Sequence, residues 1–63
     1  MVTVTVRNPY YEKEYKVQEK RGDIEYAVHN IQMGNETFLN LHDEDGNLVL
    51  INPANFASVE VTE

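Results

Sequence analysis

Apolar and polar residues alternate strictly near both ends of the chain. Residues 2–6 are Val-Thr-Val-Thr-Val and residues 58–62 are Ser-Val-Glu-Val-Thr. A period of two in β-branched residues is typical of a strand that buries one face. We therefore expect both segments to be strands. Because their alternation matches, we also expect them to pair with each other.

The middle of the chain contains three further strand patterns. Residues 13–19 place Tyr15 and Val17 on one side between charged residues, as in a solvent-facing strand. Residues 37–41, Thr-Phe-Leu-Asn-Leu, also predict a strand. Residues 48–51 are apolar on both faces, which is typical of a central strand.

Turn-forming residues separate these segments. They occupy residues 7–10, 20–23 and 43–47, where Asn, Pro, Asp and Gly favour tight turns. Residues 52–55 predict a short bend or 3₁₀ turn that brings Phe56 toward the core.

Residues 24–33 fit two different elements, and we favour a strand. Ile24, Tyr26 and Val28 alternate along the segment, and its β-branched and aromatic content suits a sheet. A bend after Val28 would then reset the phase of the alternation.

The alternative for the same segment is a helix. Ile24, Val28 and Ile31 would then share one face, with Asp23 as the N-cap residue and Gly34 just past the C-terminal end.

Together these patterns predict a mainly β fold of five to six short strands. We expect a small curled antiparallel sheet or a barrel of the SH3-like or Sm-like kind. The alternative is an α+β fold with one helix at about 23–33. A chain of 63 residues has room for one small core, so residues 1–63 are expected to form a single domain.

The charges are unevenly distributed along the chain. There are 5 Lys+Arg and 11 Asp+Glu, giving a net charge of -6, and the segment 22–63 contains acids but no Lys or Arg. Phosphate backbones and anionic membranes attract clustered cations, so nucleic-acid and membrane binding are disfavoured. An acidic surface of this kind attracts basic protein surfaces instead.

Catalytic and metal-binding patterns are missing from the sequence. The chain has no Cys, and its two histidines, His29 and His42, lack the spacing of a metal site. The single serine, Ser58, lies in a predicted strand without the glycine of a nucleophile elbow. We therefore expect no enzymatic activity, no cofactor and no metal.

One candidate partner-binding group is the acidic turn formed by Asp43, Glu44 and Asp45. The calcium loop of an EF-hand needs Gly at its sixth position, whereas Gly46 would be fourth in a loop starting at Asp43. We therefore interpret these acids as an exposed hairpin tip that can face a basic partner.

The second candidate group is the tyrosine pair, Tyr10 and Tyr11. Neighbouring side chains of an extended chain point to opposite faces, so a core this small cannot bury both. Tyrosine is also enriched at protein interfaces.

These features predict a small acidic protein-binding module, a regulator or inhibitor that docks on a larger protein with a basic surface and occludes a site. Compact acidic proteins encoded by phages and mobile elements are similar in type. No export signal or membrane span is evident, which indicates the cytoplasm, or the host cytoplasm for a phage protein. Without disulfides or a metal, so small a core favours a homodimer or higher homo-oligomer.

Two other functions remain open. One is a structural, self-assembling β subunit. The other, less favoured, is a nucleic-acid-binding small barrel, for which the basic candidates are Lys13, Lys16, Lys20 and Arg21.

Overall fold

The computed structural model describes all 63 residues and is mainly β, as predicted. Its elements, in chain order, are β1 (Val2–Arg7), β2 (Glu12–Val17), α1 (Arg21–Gln32), β3 (Leu39–His42), β4 (Leu48–Ile51), a 3₁₀ turn (Pro53–Asn55) and β5 (Ser58–Thr62). The strands form two antiparallel sheets and do not close into a barrel. No helix is long and apolar enough to cross a membrane.

The larger sheet confirms the predicted pairing of the two terminal segments. Its strand order is β2-β1-β5, and β1 lies antiparallel to both neighbours. Thr3 is aligned with Thr62, and Val4 with Val61. The valines of β1 are buried on one side of this sheet, as their alternation predicted.

The smaller sheet is the β3–β4 hairpin. Leu39 and Leu41 of β3 are buried, and their register partners on β4 are Ile51 and Val49. The prediction that residues 48–51 form a central strand was wrong, because β4 pairs only with β3. The second apolar face of β4 is exposed to solvent instead of being covered by another layer.

The preference for a strand over residues 24–33 was also wrong, and the helical alternative is correct. In α1 the apolar residues recur every three or four positions, which places Ile24 in the core and leaves Tyr26 exposed. A strand would have placed these two side chains on the same face. The other apolar residues of this helix that pack against the core are Ala27, Val28 and Ile31.

Only the N-terminal cap of α1 differs from the prediction. The N-cap residue is Lys20, not Asp23, and the carboxylate of Asp23 accepts a hydrogen bond from the Lys20 N–H at 3.4 Å. At the other end Gly34 has a φ of 82° and donates its N–H to the Ile31 carbonyl at 3.0 Å. Glycine adopts this left-handed conformation without a Cβ clash, so it ends the helix as predicted.

A single core joins all of these elements. Phe56, which follows the 3₁₀ turn, packs against it from the side, as predicted. The buried apolar residues are Val2, Val4, Val6, Val17, Ile24, Leu39, Leu41 and Ile51.

The two sheets meet where β2 ends. Val17 and Asp43 form an isolated antiparallel bridge, and the Gln18 N–H donates to the His42 carbonyl at 2.8 Å. Strand β2 was predicted to continue to Glu19, but it ends at Val17. Gln18 and Glu19 form hydrogen bonds with His42 at the end of β3 instead. This junction fixes the position of the β3–β4 hairpin against the larger sheet.

Candidate functional site

The acidic turn connects β3 to β4, and Asp43 shapes it. Oδ1 of Asp43 accepts hydrogen bonds from the N–H groups of Asp45 at 3.0 Å and Asn47 at 2.9 Å. Oδ2 accepts a third from Nδ2 of Asn47 at 3.2 Å. Hydrogen bonds from Asn47, and from Asp45 and Gly46, hold the pKa of Asp43 below its ordinary value of 3.8. The main role of this carboxylate in the structure is therefore to stabilise the turn.

The other two acids of the turn point into solvent. Glu44 and Asp45 are exposed, and their side chains form no hydrogen bond or ion pair within the chain. Gly46 has a φ of 85°, which closes the turn behind them. The turn therefore presents two uncompensated negative charges at the tip of the hairpin.

The tyrosine pair lies in the connection between β1 and β2. The side-chain oxygen of Asn8 accepts hydrogen bonds from the N–H groups of Tyr10 at 2.8 Å and Tyr11 at 3.0 Å. Tyr10 is 92% exposed, whereas Tyr11 is 52% exposed and its ring meets Phe56 edge-on at 6.2 Å. Both side chains are thus accessible, as predicted, and Tyr11 also has a packing role.

The structure does not bring the two predicted groups together. Tyr11 precedes the first residue of β2, and Asp43 is bridged to Val17, the last one. A strand rises about 3.3 Å per residue, so six residues separate the groups by roughly 17–20 Å. The tyrosine pair and the acidic turn consequently lie at opposite ends of β2.

The sequence did not reveal a third surface, which we call the hairpin face. It is the outward side of β3 and β4. Leu48 and Leu50 are 59% and 54% exposed, although leucine is normally buried. The face consists of Asn40, His42, Leu48 and Leu50. The sequence feature that could have predicted this face is the apolar run at 48–51, which follows a strand that alternates. Such a run is compatible either with a central strand or with an exposed apolar face.

One edge of the hairpin face is held by Glu19. Its carboxylate accepts hydrogen bonds from the main-chain N–H of His42 at 2.8 Å and from Nδ1 of the same residue at 2.7 Å. Partial burial raises the pKa of the Glu19 carboxyl, but the hydrogen bonds from His42 together lower it below the ordinary 4.5. The His42 ring is thereby fixed beside the two exposed leucines.

The cations are mostly engaged away from the hairpin. Arg7 bridges Glu12 at 2.6 Å and Glu60 at 3.1 Å on the larger sheet. Arg21 pairs with Glu25 one turn later on α1, at 3.1 Å. No cation forms an ion pair with an acid of the β3–β4 turn, so the negative potential there is not neutralised locally.

The lysines also fail to form a cluster. Lys13 lies over the ring of Tyr15 at 5.0 Å, and Lys16 points to the opposite face of β2. This placement provides no continuous basic stripe for a phosphate backbone to follow.

The surface has one groove, and it is open to solvent. It runs along the β2–α1 connection and the start of β1, and its lining includes Val2, Val17 and Lys20. The Glu19 carboxylate at its border is already engaged with His42. The chain brings together no group of three or more His, Asp or Glu side chains that could hold a metal ion.

Comparison of the chain with known protein families, with curated proteins and with solved structures found no match.

Proposed function

We propose that the chain is a cytoplasmic, non-enzymatic protein-binding module that docks through its β3–β4 hairpin and occludes a basic site on a larger protein. The observation that carries this proposal is the pair of exposed leucines, Leu48 and Leu50, beside the acidic tip of the same hairpin.

The hairpin face has the composition of a small interface. Protein interfaces combine a central apolar anchor with a polar rim that excludes water. Here Leu48 and Leu50 supply the anchor, and Asn40 and His42 lie across from them on β3. Glu44 and Asp45 extend the rim at the tip.

The charges of the chain indicate the chemistry of the partner. The acidic tip has no cation of its own, and the net charge is -6. Such a field raises the rate of encounter with a positively charged surface and makes binding sensitive to salt. A partner with an apolar pocket bordered by Lys or Arg is complementary to both parts of the hairpin.

The proposal is tested by capture from a lysate with matched variants. Tagged wild type, the double variant Leu48→Ser/Leu50→Ser and the control Tyr26→Ser, an exposed residue of α1, are incubated in parallel at low and high salt, and bound proteins are identified by mass spectrometry. Both changes replace exposed side chains, so the fold should survive in each.

We expect one stoichiometric partner that binds wild type and Tyr26→Ser at low salt and is lost from the double variant. Capture that is equal for all three chains contradicts docking through the hairpin. Recovery of the chain alone would favour the structural, self-assembling function instead.

A further inference from the structure

Four strands have an unpaired edge, because β2 and β5 flank β1, while β3 and β4 pair only with each other. Four of the six residues of β2 are charged, and β5 contains Glu60. Charged side chains on an edge strand oppose pairing with another chain. Neither β3 nor β4 contains Asp, Glu, Lys or Arg. The outer edge of β3 is engaged at His42, whose main-chain N–H and C=O bond to Glu19 and Gln18. β4 is therefore the one edge of the four that is neither charged nor engaged.

The main chain of β4 also has N–H and C=O groups on its free edge that are available for pairing. The Asp43 N–H donates to the Asn47 carbonyl at 3.0 Å, which marks this as a hydrogen-bonded pair. Such pairs alternate along an antiparallel ladder, so Val49 faces β3 while Leu48 and Leu50 turn their N–H and C=O groups to the free edge. No hydrogen bond outside the helix and strand ladders involves either leucine.

We propose that β4 pairs with β4 of a second copy of this chain, antiparallel and about a two-fold axis. Groups that point outward can bond only to groups that point outward. Of the two-fold registers that satisfy this, only Leu48 opposite Leu50 pairs both outward residues of β4 with outward residues of the second β4. Val49 then lies opposite Val49 of the second copy, on the axis. Each of the two Leu48–Leu50 pairs exchanges two main-chain hydrogen bonds. The result is a four-stranded sheet in the order β3-β4-β4-β3.

This register keeps the acidic turns apart. Because the two β4 strands run in opposite directions, the turns lie at opposite ends of the four-stranded sheet. Asp45 of one copy is level with Pro53 of the other, and the 3₁₀ turn there, Pro53–Asn55, has no charge. The net charge of -6 on each copy therefore does not oppose this contact directly.

The pairing uses the edge of β4 and leaves the hairpin face open. It places Leu48 and Leu50 of both copies side by side on one outward surface, which doubles the apolar area available to a partner. The dimer does not depend on the proposed partner, and it is measured on the purified chain alone. Failure of one proposal therefore leaves the other intact.

Sedimentation equilibrium from micromolar to millimolar concentration tests the dimer. Wild type is expected at twice 7.3 kDa at the upper concentrations. Leu50→Lys places a charge on the edge, and Leu50→Pro removes an N–H that no bond within the chain uses. Each should raise the dimer dissociation constant at least about 100-fold. Circular dichroism checks that both variants are folded, and Leu48→Lys is a further edge variant if either is not.

The control is Thr62→Lys, which changes the charge equally on the edge strand β5 and should leave the dimer intact. Wild type that stays at 7.3 kDa up to millimolar concentration overturns the proposal. A dimer that survives both Leu50 variants overturns it as well, because the contact then lies elsewhere.

The register has a separate test in a glutathione redox buffer. The chain has no cysteine, so a single introduced Cys can form a protein–protein disulfide only between copies. Val49→Cys should cross-link readily, since residue 49 faces its own copy at a distance that suits a disulfide. Leu48→Cys should cross-link poorly, because residue 48 faces residue 50. The reverse order overturns the register.

Discussion

The carboxylate of Glu19 holds His42 at two points, its main-chain N–H at 2.8 Å and its ring Nδ1 at 2.7 Å. The residues are 23 positions apart in sequence. One belongs to the β2–α1 connection and the other ends β3, so this contact joins the larger sheet to the hairpin. It follows that the orientation of the hairpin face depends on an ionised carboxylate outside the hairpin.

Replacing Glu19 by Gln should destabilise the chain measurably. Gln retains one acceptor but loses the charge that strengthens both hydrogen bonds, at a cost of about 1 kcal/mol for this partly exposed group. In a domain of this size the melting temperature should fall by roughly 4–8 °C. The matched control is Glu14→Gln, an exposed acid on β2 with no ion pair or side-chain hydrogen bond. Equal melting temperatures for the two variants would refute the role of Glu19.

The stability contributed by Glu19 should be lost in acid. Its pKa is lower in the folded chain than the ordinary 4.5 expected after unfolding. A lowered pKa stabilises the fold fully above that ordinary value, and the contribution disappears as the pH falls through the folded value. Urea unfolding of wild type and Glu19→Gln should therefore give a difference that is constant near neutral pH and shrinks below pH 4.5. A difference that grows in acid would contradict the assigned direction.

Two glycines should respond to alanine with opposite signs. Gly34 has a φ of 82°, so Gly34→Ala should destabilise the chain by about 1 kcal/mol. Gly22 lies in the first turn of α1 with open space where a Cβ would be, so Gly22→Ala should stabilise it by about 0.5 kcal/mol. Chemical denaturation of both variants measures these changes. Shifts of the same sign would show that one of the helix ends is placed incorrectly.

The acidic tip should control the salt dependence of partner binding. Glu44→Gln/Asp45→Asn removes two exposed charges and leaves Asp43 to form the turn. We expect weaker binding of the captured partner at low salt and a flatter dependence on salt concentration. Titration calorimetry at several salt concentrations measures both, with Glu36→Gln as an exposed acid away from the tip. An unchanged salt slope would remove the acidic tip from the interface.

The sequence predicted the elements whose pattern is local and regular. Alternation identified β1 and β5 and their pairing. In a strand every second side chain lies on the same face, so β-branched residues that recur with a period of two indicate a strand with one buried face. Alternation could not distinguish a helix from a strand in α1, because the spacing of Ile24 and Val28 fits the periods of both. Tertiary packing favours the helix, which buries Ile24 and leaves the bulky Tyr26 in solvent.

The candidate site was predicted only in part. The exposure of Tyr10 and the turn at Asp43 follow from local chemistry, whereas their separation depends on how β2 spans the sheet. The hairpin face was missed because an apolar strand does not reveal whether another layer covers it. Exposure of Leu48 and Leu50 is a property of the whole fold.

The four leucines of the chain allow the most direct test of docking through the hairpin. Leu48 and Leu50 are exposed, whereas Leu39 and Leu41 are buried in the same hairpin. Cross-saturation from a protonated captured partner to leucine methyls of the deuterated chain reports which of them touch it. The proposed function predicts strong transfer to Leu48 and Leu50 and little to the two buried leucines. Transfer to none of the four, with the partner fully bound, would contradict it.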